Sequence, residues 1–465
     1  MTTSPSTSAS WRALLSRRYL GISILLASGV LLCATNEFLT VSLLPSVVAD
    51  IGGERLYAWV ITLYLVGSVM SATTVHAVLR RIGARSSYLF SSVLLAAGSL
   101  VCAVAPNMLV LVAGRAVQGV AGGLLAGLGY ALINAALPAS LWTRGSALVS
   151  LMWGIATLVG PTIGGVFAQW GSWRWAFVVM ALLAVAVVLL VPSVLPAGGV
   201  DRGGPQPTVK VPVRSMPLLG AAVLVVSIAQ LPRSMLVTVG LLVASLGLVG
   251  AFVVVDRWTS AAVLPPSVFG AGPLKWIYLT MAALMGVAMV DTYAPLFGQR
   301  LAHLAPVQAG FLAAVLAVGW TVSEITSAAL TNRKVIGRVV AGAPVMTVGG
   351  LVLAAATQRD NASIGVVMLW ALALLLLGVG IGAAWPHLSA WAMSEVDDPA
   401  EGGEAAAAIN MVQLIAGAFG AGLAGVVVNA TAADSVLQAR WLFTVFIAVS
   451  AGGCVAAYRA ARQHL

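Results

Sequence analysis

The sequence predicts an all-α polytopic membrane protein. Three observations carry that prediction. Hydrophobic residues make up 60% of the chain and charged residues only 8%, far from the make-up of a soluble globular domain. Apolar runs of about 18 residues or more, enough to cross a hydrocarbon core, recur along almost the whole length. The basic residues gather in the short segments between those runs, as the retention of Lys and Arg on the cytoplasmic side requires. A net charge of +10 distributed in this way is no nucleic-acid footprint, and no nucleic-acid partner is expected.

Taken in order, residues 1–18 are polar, rich in Ser and Thr, and end in Arg17-Arg18. The apolar run behind them is too long for the core of a signal peptide, so it reads as a retained span. Fourteen spans follow, at 19–48, 57–78, 86–105, 108–136, 144–169, 174–195, 215–231, 234–255, 275–298, 307–331, 338–357, 363–392, 404–430 and 438–459. The seventh is barely long enough to cross, and Leu231-Pro232-Arg233 turns it into the eighth. With the N-terminus in the cytoplasm, seventeen of the 24 Lys and Arg fall on inner segments and six on outer ones, with Arg115 inside the fourth span. Both termini are therefore expected on the cytoplasmic side of the plasma membrane. One inner loop goes against the trend, with Glu395, Asp397, Asp398, Glu401 and Glu404, but acidic residues weigh little in that rule.

The polar segment 196–214 reads as a linker. The organisation expected is an N-terminal six-helix bundle over 1–195, the linker and an inserted two-helix hairpin over 196–258, and a second six-helix bundle over 259–465. Each bundle carries a basic loop after its second span: Arg80-Arg81-Ile82-Gly83-Ala84-Arg85 in the first and Arg333-Lys334-Val335-Ile336-Gly337-Arg338 in the second. This is a faint internal repeat of the kind transporters show. The three cysteines, Cys33, Cys102 and Cys454, lie scattered in apolar runs and suggest neither a disulfide framework nor a metal site. No cofactor is expected.

Four ionisable residues stand inside the apolar runs: Glu37, Arg115, Asp291 and Glu324. An ionised side chain at a helix centre costs about 3 kcal/mol or more, so such residues are functional candidates by default. Arg115, Gln118, Gly119 and Gly122 share one helical face, and Thr40 continues the face of Glu37 one turn on. At about 1.5 Å of rise per residue, Glu37 and Arg115 both fall in the outer halves of their spans, so they pair if those spans are neighbours. Trp320, Thr321, Glu324, Ser327 and Thr331 form a second polar stripe. A carboxyl taken out of water holds its proton more tightly, so a buried acid can load and release one. A movement of Arg115 relative to Glu37 would switch that hold.

Blander readings stand beside these. Asp291, near Tyr293 and Pro295, is also read as a rim residue that reaches water. Glu37 and Glu324 are also read as helix–helix hydrogen-bond partners, and Arg115 as a tie between span 4 and a neighbour. Trp153 and Trp385 are deep enough to line a cavity. Asn410 and Gln413 share a face of the thirteenth span. His76, His303 and His387 lie near span ends or in loops and read as satisfied interfacial residues.

Five stretches carry a resemblance to a known family. Gly160-Pro161-Thr162-Ile163-Gly164-Gly165 resembles the fifth-span antiporter motif of major facilitator superfamily exporters, with Ala156 where another Gly is usual. Pro161 is expected to kink the helix, and the glycines to let another helix approach. Arg115-Ala-Val-Gln118-Gly119 is similar to the family's R-x-x-Q-G signature. Asn36-Glu37 through Pro45 resembles the first-span signature of fourteen-span drug:proton antiporters, with Glu37 where Asp is usual. Trp173-Arg174-Trp175-Ala176-Phe177 resembles their entry to span 6. The loop from His76 to Arg85 is a weak match to G-x-x-x-D-R-x-G-R-K: His76 replaces the first Gly and Arg80 the acid. In the family that acid locks the inner gate, and the resemblance does not supply that lock here, where Arg80 takes its place.

The resemblance implies a major facilitator fold, two six-helix bundles around a central cavity with two extra central helices. It implies proton-coupled secondary active efflux of small amphipathic or cationic compounds by alternating access. Proton coupling is then expected at Glu37, Arg115, Asp291 and Glu324. Substrate contacts are expected from Asn36, Thr40, Gln118, Trp153, Trp320, Trp385, Asn410 and Gln413. Conformational roles fall to Gly160, Pro161, Gly164, Gly165, Gly83, Arg81 and Arg85. The partners expected are a small-molecule substrate, protons and the bilayer, with the protein a monomer. Other readings are an exporter of one dedicated metabolite or lipid, a non-transporting scaffold or receptor, and an integral-membrane enzyme. For the enzyme no nucleophile–base pair, metal cluster or phosphate loop stands out.

Overall fold

The computed structural model describes residues 10–53, 56–170, 173–195, 212–229, 231, 234–259, 262–398, 401–430 and 434–464. The segment 196–211, most of the expected linker, lies outside them, as do Arg55 and Arg233. The described residues fold into helices in the order α1 (Trp11–Leu14), α2 (Leu20–Ile51), α3 (Tyr57–Ala72), α4 (Val75–Ala103), α5 (Met108–Ala136), α6 (Trp142–Gln169), α7 (Trp173–Val194) and α8 (Met216–Ala229). Then come α9 (Met235–Arg257), α10 (Leu274–Ala288), α11 (Ala294–Ala302), α12 (Pro306–Ser327), α13 (Arg333–Thr357), α14 (Ile364–Ser394), α15 (Gly402–Ala430) and α16 (Ser435–His464). Among the described residues there is no strand.

Among the described residues each of the fourteen predicted spans corresponds to a helix, and twelve of them meet the length of a full crossing. Twelve helical stretches are long and apolar enough to cross a membrane, and two apolar helices are shorter. The first short one is α3, with 16 residues. The span expected over 57–78 is broken at Thr73 and Thr74, where Thr74 turns its hydroxyl back to the Ser71 carbonyl at 2.7 Å. The second is α8, with 14 residues, or about 21 Å of rise against a hydrocarbon core of about 30 Å. The predicted basic loop is not a loop either. Residues 75–82 are helical, and only Gly83 departs, at φ 76° and ψ 168°, a region that glycine enters without steric cost.

The chain divides into two compact units. The first holds residues 1–220, 252–265 and 400–411, and the second 221–251, 266–399 and 412–465. In the first unit α5 is the central helix: it is buried along nearly its whole length and packs against α3, α4 and α2, while α2 also packs on α6, and α4 on α7. In the second unit α14 takes the central place. It packs against α12, α13 and α10, and α13 packs on α16. The pairing α3–α5, α4–α5, α4–α7 is thus repeated as α12–α14, α13–α14, α13–α16.

The repeat holds residue by residue at the glycines. A Cβ on Gly67 would stand 2.8 Å from the Ala116 carbonyl, and one on Gly319 would stand 2.9 Å from the Leu375 carbonyl. Gly119 lies against the Tyr64 carbonyl and Gly123 against that of Ser68; Gly378 lies against Leu316 and Gly382 against Trp320 in the same way. Gly98 on Gly114 is matched by Gly350 on Ala373. Missing side chains let two backbones close to contact, the common basis of helix association in a bilayer.

A candidate transport site built on buried charges

In the first unit the ionisable centre lies between α2, α3, α4 and α5. Arg115 and Gln118 are fully buried on one face of α5, as the spacing predicts. Arg115 Nη1 donates to Gln118 Oε1 at 2.7 Å, and Gln118 Nε2 donates to Ser99 Oγ of α4 at 2.8 Å. The guanidinium also lies over the ring of Tyr64 from α3, 4.2 Å from its centroid, a cation–π contact that strengthens when desolvated. Arg115 Nε is buried without a partner. This chain of contacts accounts for an arginine in an apolar bundle: its charge is met by an amide dipole and a π-face rather than by water.

The expected Glu37–Arg115 ion pair is not formed. Among the described residues no carboxylate oxygen lies within 4.0 Å of Arg115. The carboxylate of Glu37 is within Coulombic range of the guanidinium but is partly exposed, while Arg115 has turned to Gln118 and Tyr64. Beside Glu37, Asn36 is fully buried with neither side-chain amide atom partnered. Thr40 Oγ1 donates to the Asn36 backbone carbonyl at 2.8 Å. Trp153 reaches this region from α6, with its ring edge-on to Phe38 at 6.2 Å.

The Gly160–Gly165 motif works as a seat for α2. A Cβ on Gly160 would stand 2.7 Å from Phe38 Cβ, and one on Gly164 would meet Ser42 Oγ and the Leu39 carbonyl. Gly165 differs from the expectation: nothing lies within 4 Å of its would-be Cβ, because it faces away from α2. Pro161 is exposed and α6 continues through it. The Trp173-Arg174 pair is a clamp. Trp173 Nε1 and Arg174 Nη1 both donate to Asp50 Oδ2, at 3.0 and 2.5 Å, and Arg174 Nη2 donates to the Ala105 carbonyl at 3.1 Å. It ties the start of α7 to the ends of α2 and α4.

In the second unit Glu324 is fully buried on α12. Trp320 Nε1, one turn earlier, donates to Glu324 Oε2 at 2.8 Å, and the Trp320 and Trp385 rings lie 5.6 Å apart. Ser327 extends the stripe to α14: its Oγ is 2.7 Å from the Ala383 carbonyl and 2.9 Å from His387 Nε2. His387, read from sequence as a satisfied interfacial residue, is buried and belongs to this network. Asp291 lies in a single 3₁₀ turn, Met289–Tyr293, between α10 and α11, and its Oδ1 is buried without a partner. The span expected over 275–298 runs through this turn as one helical stretch, Leu274–Ala302, and changes from α to 3₁₀ at Asp291. On α15, Asn410, which belongs to the first unit, and Gln413, which belongs to the second, are buried, and Asn410 Nδ2 and Gln413 Oε1 are unpartnered. Tyr64 and Ser99 carry no sequence signal, and His387 reads from sequence only as an interfacial residue, since each acquires its partners from a helix distant in the chain. The described residues hold no group of three potential metal ligands.

Comparison with known proteins agrees with this architecture. The chain matches the family model described as Major Facilitator Superfamily over residues 26–421. It is 63% identical over 466 residues to a Mycobacterium tuberculosis protein described as a probable multidrug-efflux transporter, covering 100% of this chain and 99% of that one. It is 27% identical over 376 residues to an uncharacterized MFS-type transporter of the same organism, covering 77% of this chain and 52% of the relative. Two solved structures share the fold: the human organic anion transporter MFSD10, at TM-score 0.69 and 15% identity over 94% of this chain and 99% of that one, and the proton:xylose symporter XylE, at TM-score 0.64 and 16% identity over 94% of each. The protein is a multi-pass membrane transporter rather than an enzyme, and the chain belongs to the Major Facilitator Superfamily.

Proposed function

We propose that the protein expels small amphipathic or cationic compounds across the plasma membrane in exchange for protons, by alternating access. The observation that carries this reading is the burial of ionisable side chains in faces of spanning helices, Arg115 and Glu324 above all. Such placement is costly in a bilayer and is kept where charge must move. The description of the 63% identical relative as a probable multidrug-efflux transporter supports the drug-like substrate class.

Glu37, Glu324 and Asp291 are the proton carriers in this reading. Arg115 biases Glu37: held by Gln118 and Tyr64 it leaves the acid free to take a proton, and turned towards Glu37 it favours release. Asn36, Thr40, Gln118, Trp153, Trp320, Trp385, Asn410 and Gln413 contact substrate. Gly160, Pro161, Gly164, Gly165, Gly83, Arg81 and Arg85 serve the conformational change. The protein works as a monomer with both termini in the cytoplasm, and the short helices complete fourteen crossings.

The test is uptake of a lipophilic cation into inverted vesicles driven by an imposed pH gradient. Glu37→Gln and Glu324→Gln are each expected to lower that flux by about tenfold or more, the scale of a coupling energy of 1–3 kcal/mol. Gradient-driven flux that survives both substitutions would exclude the exchange. Flux of one metabolite alone across a broad panel would favour a dedicated exporter.

A further inference from the structure

Arg144, at the start of α6 in the first unit, is a buried cation that the protein does not answer. It is 5% exposed, and its Nε is buried without a partner. Among the described residues no carboxylate lies within 4.0 Å of the guanidinium, and no side chain or carbonyl accepts from it. Two other arginines of the unit are met, Arg115 by Gln118 and Tyr64, and Arg174 by Asp50. An ion taken out of water with nothing to pair it is costly, so this guanidinium calls for a counter-charge.

The backbone beside it is positive as well. After Pro138 the chain makes a single 3₁₀ turn, Ala139–Leu141, and continues as α6 from Trp142. Neither start has a side-chain cap or an acidic residue in its first turn, so the positive end of the helix dipole is unopposed. A cation placed there works against the dipole. Long side chains on a helix lean back towards its N-terminus, which brings the charge of Arg144 over that same first turn.

More positive charge borders this end of the unit. A Cβ on Gly160 would meet Phe38, and one on Gly164 would meet Ser42, so α2 and α6 run parallel and in step and their starts lie side by side. The short α1 packs on α6. Leu14 is fully buried, and its carbonyl accepts from Ser23 Oγ of α2 at 3.0 Å. Arg12, Arg17 and Arg18 of this segment are exposed, and among the described residues none of the three forms an ion pair.

We propose that the start of α6 binds a phosphate group, held by Arg144 and the helix N-terminus and drawn in by the arginines of the segment before α2. Phosphate suits both holders. The guanidinium fork matches two of its oxygens, and helix N-termini bind such anions through backbone N–H groups and the dipole. Two sources carry that chemistry, the headgroup of an anionic phospholipid and free phosphate. A headgroup is close by, since the spanning helices α2 and α6 both begin here. The inference is independent of the proton-coupled exchange proposed above.

Thermal melts of the delipidated full chain in a neutral detergent test it. Sodium phosphate is titrated against sodium chloride at equal ionic strength, and phosphatidylglycerol against phosphatidylcholine in mixed micelles. The wild type is expected to gain melting temperature saturably in at least one arm: a response to phosphate reports the free anion, and one to phosphatidylglycerol the headgroup. Arg144→Lys keeps the charge but not the fork, and is expected to raise the half-saturating concentration about tenfold, the loss of one charge-assisted hydrogen bond. Arg144→Gln is expected to lose the response. With neither ligand present it is expected to melt at or above the wild type, because it buries no unpaired charge. A wild type that responds no more than it does to chloride or phosphatidylcholine overturns the site. So does an Arg144→Gln protein that keeps the response, or that melts below the wild type with neither ligand present, the mark of a purely structural arginine. Where Arg144→Gln does not fold, an unchanged half-saturating concentration in Arg144→Lys overturns it instead. No transport is read, so failure of the exchange reaction would leave the result standing.

Discussion

At the scale of single residues, the positions most legible in the sequence are those that cost most to bury. Arg115 and Glu324 announce themselves because an ionisable group in an apolar run has to be met by something. What meets them is not legible. Gln118 shares a helix face with Arg115, so that contact follows from spacing, but Tyr64 and Ser99 come from other helices. The contact geometry gives a sharp expectation for Arg115→Lys. Lysine keeps the charge but lacks the planar fork that reaches Gln118 while lying flat on Tyr64. The loss of one charge-assisted hydrogen bond and of the stacking is expected to cost about 1–3 kcal/mol. It is read as a fall in the melting temperature of the detergent-solubilised protein, and Gln118→Leu is expected to lower it as well. If Arg115→Lys melts with the wild type, the guanidinium is not held by its fork.

At the scale of helices, composition and run length located every spanning element, because a bilayer leaves the backbone almost no alternative. They did not locate breaks or local changes of helix type that depend on a few residues. The turn at Thr73–Thr74 and the 3₁₀ turn at Asp291 both fall inside apolar runs, where hydropathy gives no signal. Glycine patterns were half legible: the sequence marks Gly160, Gly164 and Gly165 alike, but only packing separates them. Gly164→Ala would push a methyl into Ser42 and the Leu39 carbonyl, whereas Gly165→Ala meets nothing. Forced overpacking costs about 1–3 kcal/mol. Gly165→Ala is expected to be neutral or slightly stabilising, since alanine is the better helix former by about 1 kcal/mol. Gly123→Ala and its repeat counterpart Gly382→Ala are expected to destabilise like Gly164→Ala. Thermal melts of the four variants in one detergent decide the order, and equal melting temperatures for Gly164→Ala and Gly165→Ala would show that α2 does not seat on α6 through Gly164.

At the scale of the molecule, the two units repeat a scaffold but not a chemistry. Gly119 and Gly378 occupy matching places on α5 and α14, yet the neighbour that is Gln118 in the first unit is Leu377 in the second. The faint repeat in the basic segments was a true sign of the backbone symmetry, and it carried no information about where each unit keeps its acid. Helices α8 and α9 are more than a spacer. On α8, Leu219, Ala222, Val223 and Val226 are fully buried. Gly220 is seated on Met70, and Gly422 of α15 on Val226. On α9, by contrast, Leu236 is 85% exposed and Val243 63% exposed, so its outer face is left to lipid. A hairpin merely inserted between bundles would tolerate truncation equally on both helices. Packing predicts otherwise: Val226→Ala leaves a gap against Gly422 and is expected to cost about 1–2 kcal/mol, while Val243→Ala stays within about 0.5 kcal/mol. Melting temperatures of the two variants separate the cases, and equal small shifts would return α8 to the status of a tether.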